Sequence, residues 1–269
     1  LYSGTSAAGK SYHKHIPQHT MNFEQFVSDA VELTDFLRKT FKQERIFLAA
    51  HSFGTLIGMY LVKKHPEKFH SYVGLSQIIS WAENDRAGLA WAKDEAKRRG
   101  DYKALNELEE VGEPPFTEGY KQWGVLRKWQ MKYSTMVYND DKIKHPGLAK
   151  VTLDMLTSRD YRLADVFHTF YSGFKLIYSD EFIRQIPKIN VQMDVPEVKI
   201  PISFIYGRKD VHVHAYLAQD YLDTVKTSQE KNFIWAEKSA HLFHPDDAEL
   251  IEQHLIKELK HIKQEVMNL

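Results

Sequence analysis

Residues Arg45–Lys64 read RIFLAAHSFGTLIGMYLVKK, and the fold follows from how this stretch divides. Ile46 to Ala50 is a short apolar run, the pattern of a strand covered on both faces. Phe53 to Val62 is apolar nearly all round, as a helix inside a layered fold is. Between them lies Ala50-His51-Ser52-Phe53-Gly54, a variant of G-x-S-x-G in which Ala takes the first small position. A strand that turns sharply into a helix strains the residue at the corner, and only small residues two positions either side leave room for the turn. Ser52 would then stand alone above the sheet. The amide of Phe53, first in the helix, would point at the same spot as a donor to a developing oxyanion. Two competing readings exist. A single string of this kind also occurs by chance, and the apolar run from Ile46 to Val62 resembles a membrane span. The span is short of the roughly 20 residues a bilayer needs and is interrupted by His51, Ser52 and two glycines.

The whole chain has 269 residues, no net formal charge and 43% hydrophobic residues. That is enough for one large soluble domain, or one domain with an insertion, and it suggests no polyanion, nucleic acid or membrane surface as a partner. With no cysteine there is no disulfide, iron–sulfur or thiolate zinc site, which favours a cytoplasmic location. The sequence opens at Leu1 on what reads as the end of a strand, so N-terminal strands are expected upstream, together with any signal peptide.

Gly4 to Ser11, GTSAAGKS, matches the phosphate-binding loop G-x-x-x-x-G-K-[ST] at every fixed position. That loop needs a helix opening at Lys10 and Ser11 to hold phosphates. Instead Tyr12-His13-Lys14-His15-Ile16-Pro17 follows, without helical period and with a proline where the helix should run. His13, His15 and His19 read as part of a solvated loop.

Further along, Asn22 and Gln25 form a capping-box start. Phe23, Phe26, Val27, Ala30, Leu33, Leu37 and Phe41 then recur at helical spacing, with Val31 and Phe36 widening the face. After the Ser52 corner and its helix, which stops near His65-Pro66, Ser71 to Ser76 is a further strand. Helix, strand, helix, strand implies a mostly parallel sheet with helices on both faces. From Gln77 to Asp194 charged helical segments dominate, such as Glu83 to Arg99 and Asp101 to Val111. This is a helical insertion between two sheet strands. Four of the five tryptophans fall in it, at 81, 91, 123 and 129. They are expected to form its own small core, with one or two lining a substrate pocket as the functional alternative. The sheet resumes at Ile200 with IPISFIYG, then a GRKD turn, a helix over Ala215 to Val225, a last strand over Asn232 to Ala236, and a closing helix over Asp246 to Val266. The chain thus divides into a first core part, 1–76, with the corner serine; a helical cap, 77–194; and a second core part, 195–269.

In a parallel sheet the turns leaving successive strands share one edge, where ligands bind. Asp210 leaves the strand ending near Tyr206, and His241 leaves the next. Both would therefore lie with Ser52, and the chain order Ser, Asp, His is that of a catalytic triad in this kind of sheet. Serine alone is a poor nucleophile; His241 would take its proton and Asp210 would fix the imidazole. Asp165, Asp180, Asp220 and Asp223 are rival acids. His212, His214, His241 and His244 have metal-ligand spacing, with His212 and His214 on one face if that stretch is extended. No H-E-x-x-H or carboxylate ligand accompanies them, and His244 reads as a helix-start neighbour of Pro245.

AHSFGTLIGMYLVKKHPEKF, FIYGRKD and EKSAHLF, in that order around a helical insertion, resemble the α/β-hydrolase family, most closely its proline iminopeptidase-like branch. Ala7 to Tyr12, AAGKSY, resembles the R-G-x-G-K-S-Y segment of that branch, which makes the phosphate-loop match a coincidence. The resemblance implies an α/β-hydrolase fold with an inserted cap, Ser52 as nucleophile, Asp210 as acid, His241 as base, the Phe53 amide in the oxyanion hole, and no cofactor or metal. It also implies that the family's H-G-G-P-G oxyanion loop lies upstream of Leu1; loss of one such donor costs roughly 2.7 to 4 kcal/mol of transition-state stabilisation. In that branch lid carboxylates bind the substrate's free amine, and Glu83, Glu107, Glu113 and Glu181 are the candidates here. The expectation is a serine hydrolase acting on an amide or ester of a small molecule or short peptide, an aminopeptidase of proline iminopeptidase type. A carboxylesterase and a non-catalytic ligand-binding member of the fold are the alternatives. A serine at the corner argues against epoxide hydrolase or dehalogenase chemistry, which uses an aspartate there. Oligomeric state is left open.

Overall fold

The structure is a computed structural model that describes residues 18–134, 136, 147–173, 175 and 179–267. Both Gly4 to Ser11 and Ala7 to Tyr12 lie outside the described residues, as do His13 and His15. Of the described residues, those within 18–37, 80–134 and 147–190 fall in one compact unit and those within 38–79, 136 and 191–267 in a second.

The second unit is built on a four-stranded sheet: β1 (Ile46–His51), β2 (Phe69–Leu75), β3 (Ile202–Gly207) and β4 (Lys231–Ala236), in that spatial order and parallel throughout. The period of two along each strand sends alternate side chains to opposite faces. Tyr72 and Phe204 face one way. Phe204 stacks on Tyr221 of the helix Ala215–Thr224, and Tyr72 closes on Gly58 of the helix Phe53–Lys64, where a Cβ would come within 2.6 Å of the ring. Val73, Ile205 and Ala236 face the other way and pack with Leu250, Ile251 and Leu255 of the closing helix Pro245–Met267. Helices thus cover both faces, and β3 is buried along its whole length.

β1 differs from its expected double-sided cover. Among the described residues it is the first strand of the sheet order, its residues are half-buried, and Ala49 is exposed.

The first unit is helical among the described residues, apart from a single bridge between Ser80 and Asn190. Label its helices α1 (Phe23–Phe41, continuing into the second unit), α2 (Trp81–Arg99), α3 (Tyr102–Glu110) and α4 (Tyr120–Tyr133). Ser80 caps α2 by accepting from the Glu83 amide at 3.3 Å, and Gly100 ends it in the left-handed conformation at φ 64°. Asp101 then caps α3 through the Ala104 amide at 3.0 Å. Leu89, Ala92, Leu108, Leu126 and Trp129 form a core, against which Trp91 and Trp123 pack. Trp81 stacks on Trp123. Trp129 is a core residue of this unit, Trp81 is buried, and Trp91 and Trp123 are half-buried against the core. Inside it the buried Asp85 pairs with Arg127, whose guanidinium lies over the Trp123 ring.

α1 departs from expectation in two ways. Asn22 does accept from the Gln25 amide at 2.9 Å, but the Gln25 side chain reaches forward to Asp29 rather than back, so only half of the capping box forms. The apolar face is buried only over its first turns, at Phe23, Phe26 and Val27, with Phe26 edge-on to Phe182; Phe36 and Phe41 are exposed. No helix among the described residues is long and apolar enough to cross a membrane.

Candidate active site

All four strands run the same way, so the loops leaving His51, Leu75, Gly207 and Ala236 share one edge. Ser52 is the corner between β1 and the helix Phe53–Lys64. It holds φ 54° and ψ −126°, a conformation that side chains rarely adopt. Its amide is tied to the Leu75 carbonyl at 3.0 Å, and its carbonyl accepts from Thr55 Oγ1 at 2.5 Å. A Cβ at Gly54 would meet the Ala50 Cβ at 4.0 Å. Even a methyl at position 54 would only touch that of Ala50, so the turn has room for Ala50 in place of the usual first glycine.

Beneath this corner lies a buried polar network that sequence reasoning missed. The Thr55 hydroxyl accepts from the Ile78 amide at 3.0 Å. Tyr72 donates to Gln77 Oε1 at 2.7 Å, Gln77 Nε2 donates to the Ile78 carbonyl at 2.8 Å, and Tyr206 donates to the Gln77 carbonyl. Burial raises the Tyr72 and Tyr206 hydroxyls far above the ordinary tyrosine range, so both stay protonated as donors. Fully satisfied networks of this kind stiffen the ground on which a site stands.

Ser52 Oγ lies 2.8 Å from His241 Nε2, and His241 Nδ1 lies 3.0 Å from Asp210 Oδ2. The His241 and Asp210 side chains are almost fully buried. With Asp210 ionised, Nδ1 carries the proton and donates, which leaves Nε2 free to accept from the serine hydroxyl. Burial pushes the Asp210 carboxyl up, but the nearby His241 and its hydrogen bond, His212, and the Val213 amide together outweigh burial and hold it at about 2. Asp210 Oδ1 accepts the amides of His212 at 2.8 Å and Val213 at 3.0 Å. Oδ2 also accepts from Ser76 Oγ at 2.8 Å.

The same two amide bonds explain why His212 and His214 do not share a strand face. The aspartate captures its own following backbone and folds it into a turn, so the stretch Val211 to His214 is bent, not extended. His212 places its ring 5.6 Å from that of His241, and His214 precedes the helix Ala215–Thr224. Among the described residues no group of three or more His, Asp or Glu is placed to hold a metal ion. His244 lies at the start of the closing helix, where its Nδ1 accepts from the Asp246 amide at 3.0 Å. Of the rival acids, Asp165 caps the helix Leu163–Phe167, Asp180 begins the helix Asp180–Gln185, and Asp220 and Asp223 are exposed on the helix Ala215–Thr224.

Two further residues position the loops. Gly207 ends β3 where a Cβ would come within 2.1 Å of the Ala240 carbonyl oxygen; only glycine lets the Asp210 and His241 loops close on each other. His51 Nε2 donates to the His241 carbonyl at 2.8 Å, and burial followed by the neighbouring His241 lowers its pKa, so the ring is held neutral. Sequence patterning marks neither, because both contacts join residues far apart in the chain. The four carboxylates named for amine recognition are placed as follows. Glu83 pairs with Arg86, Glu107 with Lys128 at 2.6 Å, and Glu113 with Lys93 at 2.9 Å. Glu181 is exposed, with Gln185 Nε2 at 3.4 Å.

A family model described as serine aminopeptidase, S33, matches residues 7–161. The chain belongs to this family. It is 24% identical over 259 residues to a Bacillus subtilis protein named probable aminopeptidase YbaC, covering 94% of this chain and 77% of the relative. Among solved structures it is similar to a thermophilic esterase from Thermogutta terrifontis, at 11% identity and TM-score 0.54 over 90% of this chain and 73% of that one. It is also similar to the enol-lactonase from Burkholderia xenovorans LB400, at 14% identity and TM-score 0.52 over 89% and 73%. Likeness at this level shows the shared α/β-hydrolase fold. With the family match, it makes this S33-family chain a hydrolase.

Proposed function

We propose that the chain is a serine hydrolase that works through an acyl-enzyme, and that it acts as an aminopeptidase on short peptides or aminoacyl amides, of proline iminopeptidase type, in the cytoplasm. The observation that carries this reading is the continuous chain of contacts from Ser52 Oγ through His241 to Asp210. Ser52 attacks the scissile carbonyl as its proton passes to His241 Nε2. The imidazolium that forms is stabilised by the buried, ionised Asp210, which also fixes the ring tautomer. The carbonyl oxygen becomes an oxyanion facing the start of the helix Phe53–Lys64, where the Phe53 amide and the helix dipole oppose its charge. His241 then gives its proton to the leaving amine, and water, activated by the same imidazole, releases the acid. No cofactor or metal takes part in this scheme.

The aminopeptidase choice is supported by the family and by the name of the Bacillus subtilis relative. One observation favours carboxylesterase as the second reading. Three of the four carboxylates that could bind a free amine are already engaged by cations. Paired assays with L-aminoacyl p-nitroanilides, their N-acetylated counterparts and short-chain p-nitrophenyl esters test the choice. Turnover of the free-amine anilides alone, lost in Ser52→Ala, is the expected result. Turnover of esters and acetylated anilides without preference for a free amine would give the site to an esterase.

A further inference from the structure

Asp210 has four hydrogen-bond donors, and they are divided between its two oxygens. Oδ1 takes the amides of His212 and Val213 from its own loop. Oδ2 takes His241 from the β4 loop and Ser76 from the end of β2. Of these, only Ser76 comes directly off the end of the neighbouring strand β2, where its amide is fixed on the Ile205 carbonyl at 2.9 Å. Ser76 is fully buried and holds φ 50°. This is a conformation more natural to glycine, and here it coincides with a hydroxyl aimed at the carboxylate.

We propose that Ser76 is a positioning residue for the proposed hydrolytic site: its hydroxyl pins the Asp210 oxygen that serves His241 to the rigid end of β2. A carboxylate has a broad, two-fold torsion at its last bond. The two amides on Oδ1 hold one end of the group. With Ser76 absent, Oδ2 is held only by the imidazole it is meant to orient. With Ser76 present, the oxygen is fixed by the sheet before His241 arrives, and the imidazole is oriented by a group that does not follow its motion. A serine hydroxyl suits this place because it donates to an ionised carboxylate and needs no room beyond its own. The inference rests on the serine hydrolase reading and adds a residue to it.

The test uses Ser76→Gly, which accepts φ 50° without strain and removes only the hydroxymethyl group, and Ser76→Ala beside it. Ser71→Ala, at a buried serine on β2 whose hydroxyl makes no hydrogen bond among the described residues, is the control for loss of a buried hydroxyl as such. The rate of Ser52 modification by a fluorophosphonate and the low-field proton resonance of His241 Nδ1–H are measured, with thermal unfolding to establish folding. In folded Ser76→Gly the labelling rate is expected to fall roughly tenfold, the scale of one charge-assisted hydrogen bond. The resonance is expected to move from its wild-type position and KM to stay within about twofold, while Ser71→Ala behaves as wild type. A wild type that labels, with a folded Ser76→Gly that labels as fast and an unmoved resonance, overturns the role of Ser76 and leaves the hydrolase reading standing. A wild type that does not label overturns both.

Discussion

Ser52 occupies a backbone conformation that costs a non-glycine residue about 1 to 3 kcal/mol, and the fold sustains it because the tied Leu75 and Thr55 contacts hold the corner from both sides. Ser52→Gly should therefore raise the stability of the chain by about 1 kcal/mol while abolishing hydrolysis, and Ser52→Ala should abolish hydrolysis without that gain. Thermal unfolding of the three proteins checks this; a Ser52→Gly variant that melts below wild type would contradict the strain at the corner. Asp210 makes a second prediction. Its folded pKa of about 2 lies below the roughly 3.9 of an unperturbed aspartate. Its stabilising contribution is thus present above the unfolded value and lost as pH falls from about 4 through about 2. Asp210→Asn should lose that contribution. Denaturant unfolding of both proteins at pH 7 and near pH 2 should show a gap that closes in acid, and a gap of constant size would refute this account of the carboxylate.

The strands and the loops leaving them form the next level. Gly207 is where two loops come closest, with the Ala240 carbonyl oxygen 2.1 Å from where a Cβ would stand. The Lys209 amide bonds the Ser239 carbonyl at 3.0 Å beside it, while Ser239 Oγ is itself anchored on Asp247 at 2.5 Å. Gly207→Ala must push these loops apart. It should cost about 1 to 3 kcal/mol of stability by overpacking, with a fall in hydrolysis larger than Ser71→Ala gives. Urea unfolding and initial rates measure the two effects, and unchanged rates would mean the loops do not need this closeness. The elements were legible in the sequence because each carries its own periodicity: β3 lies inside IPISFIYG, and the closing helix packs Ile251 and Leu255 against the sheet. The exposed end of α1 was not, since burial is set by which other elements arrive, and no local pattern records that.

For the whole molecule, parallel strand direction is what turns scattered residues into a site. Ser52 and His241 are 189 positions apart, yet one rule, that every strand points the same way, brings the loop after each strand to one edge. This is why the Ser52, Asp210 and His241 grouping could be reasoned from chain order. Ser76, Gly207 and His51 could not be, because their roles depend on single ångström-scale contacts between loops. Four carboxylates were named as candidates for holding a free amine, and three of them are engaged in ion pairs. The central claim is that Ser52 is an activated nucleophile, and the most direct measurement is to treat the folded protein with a fluorophosphonate and map the adduct by mass spectrometry. The account predicts a single adduct on Ser52 that disappears in His241→Ala. A folded protein with no adduct, or with one on another residue, would contradict it.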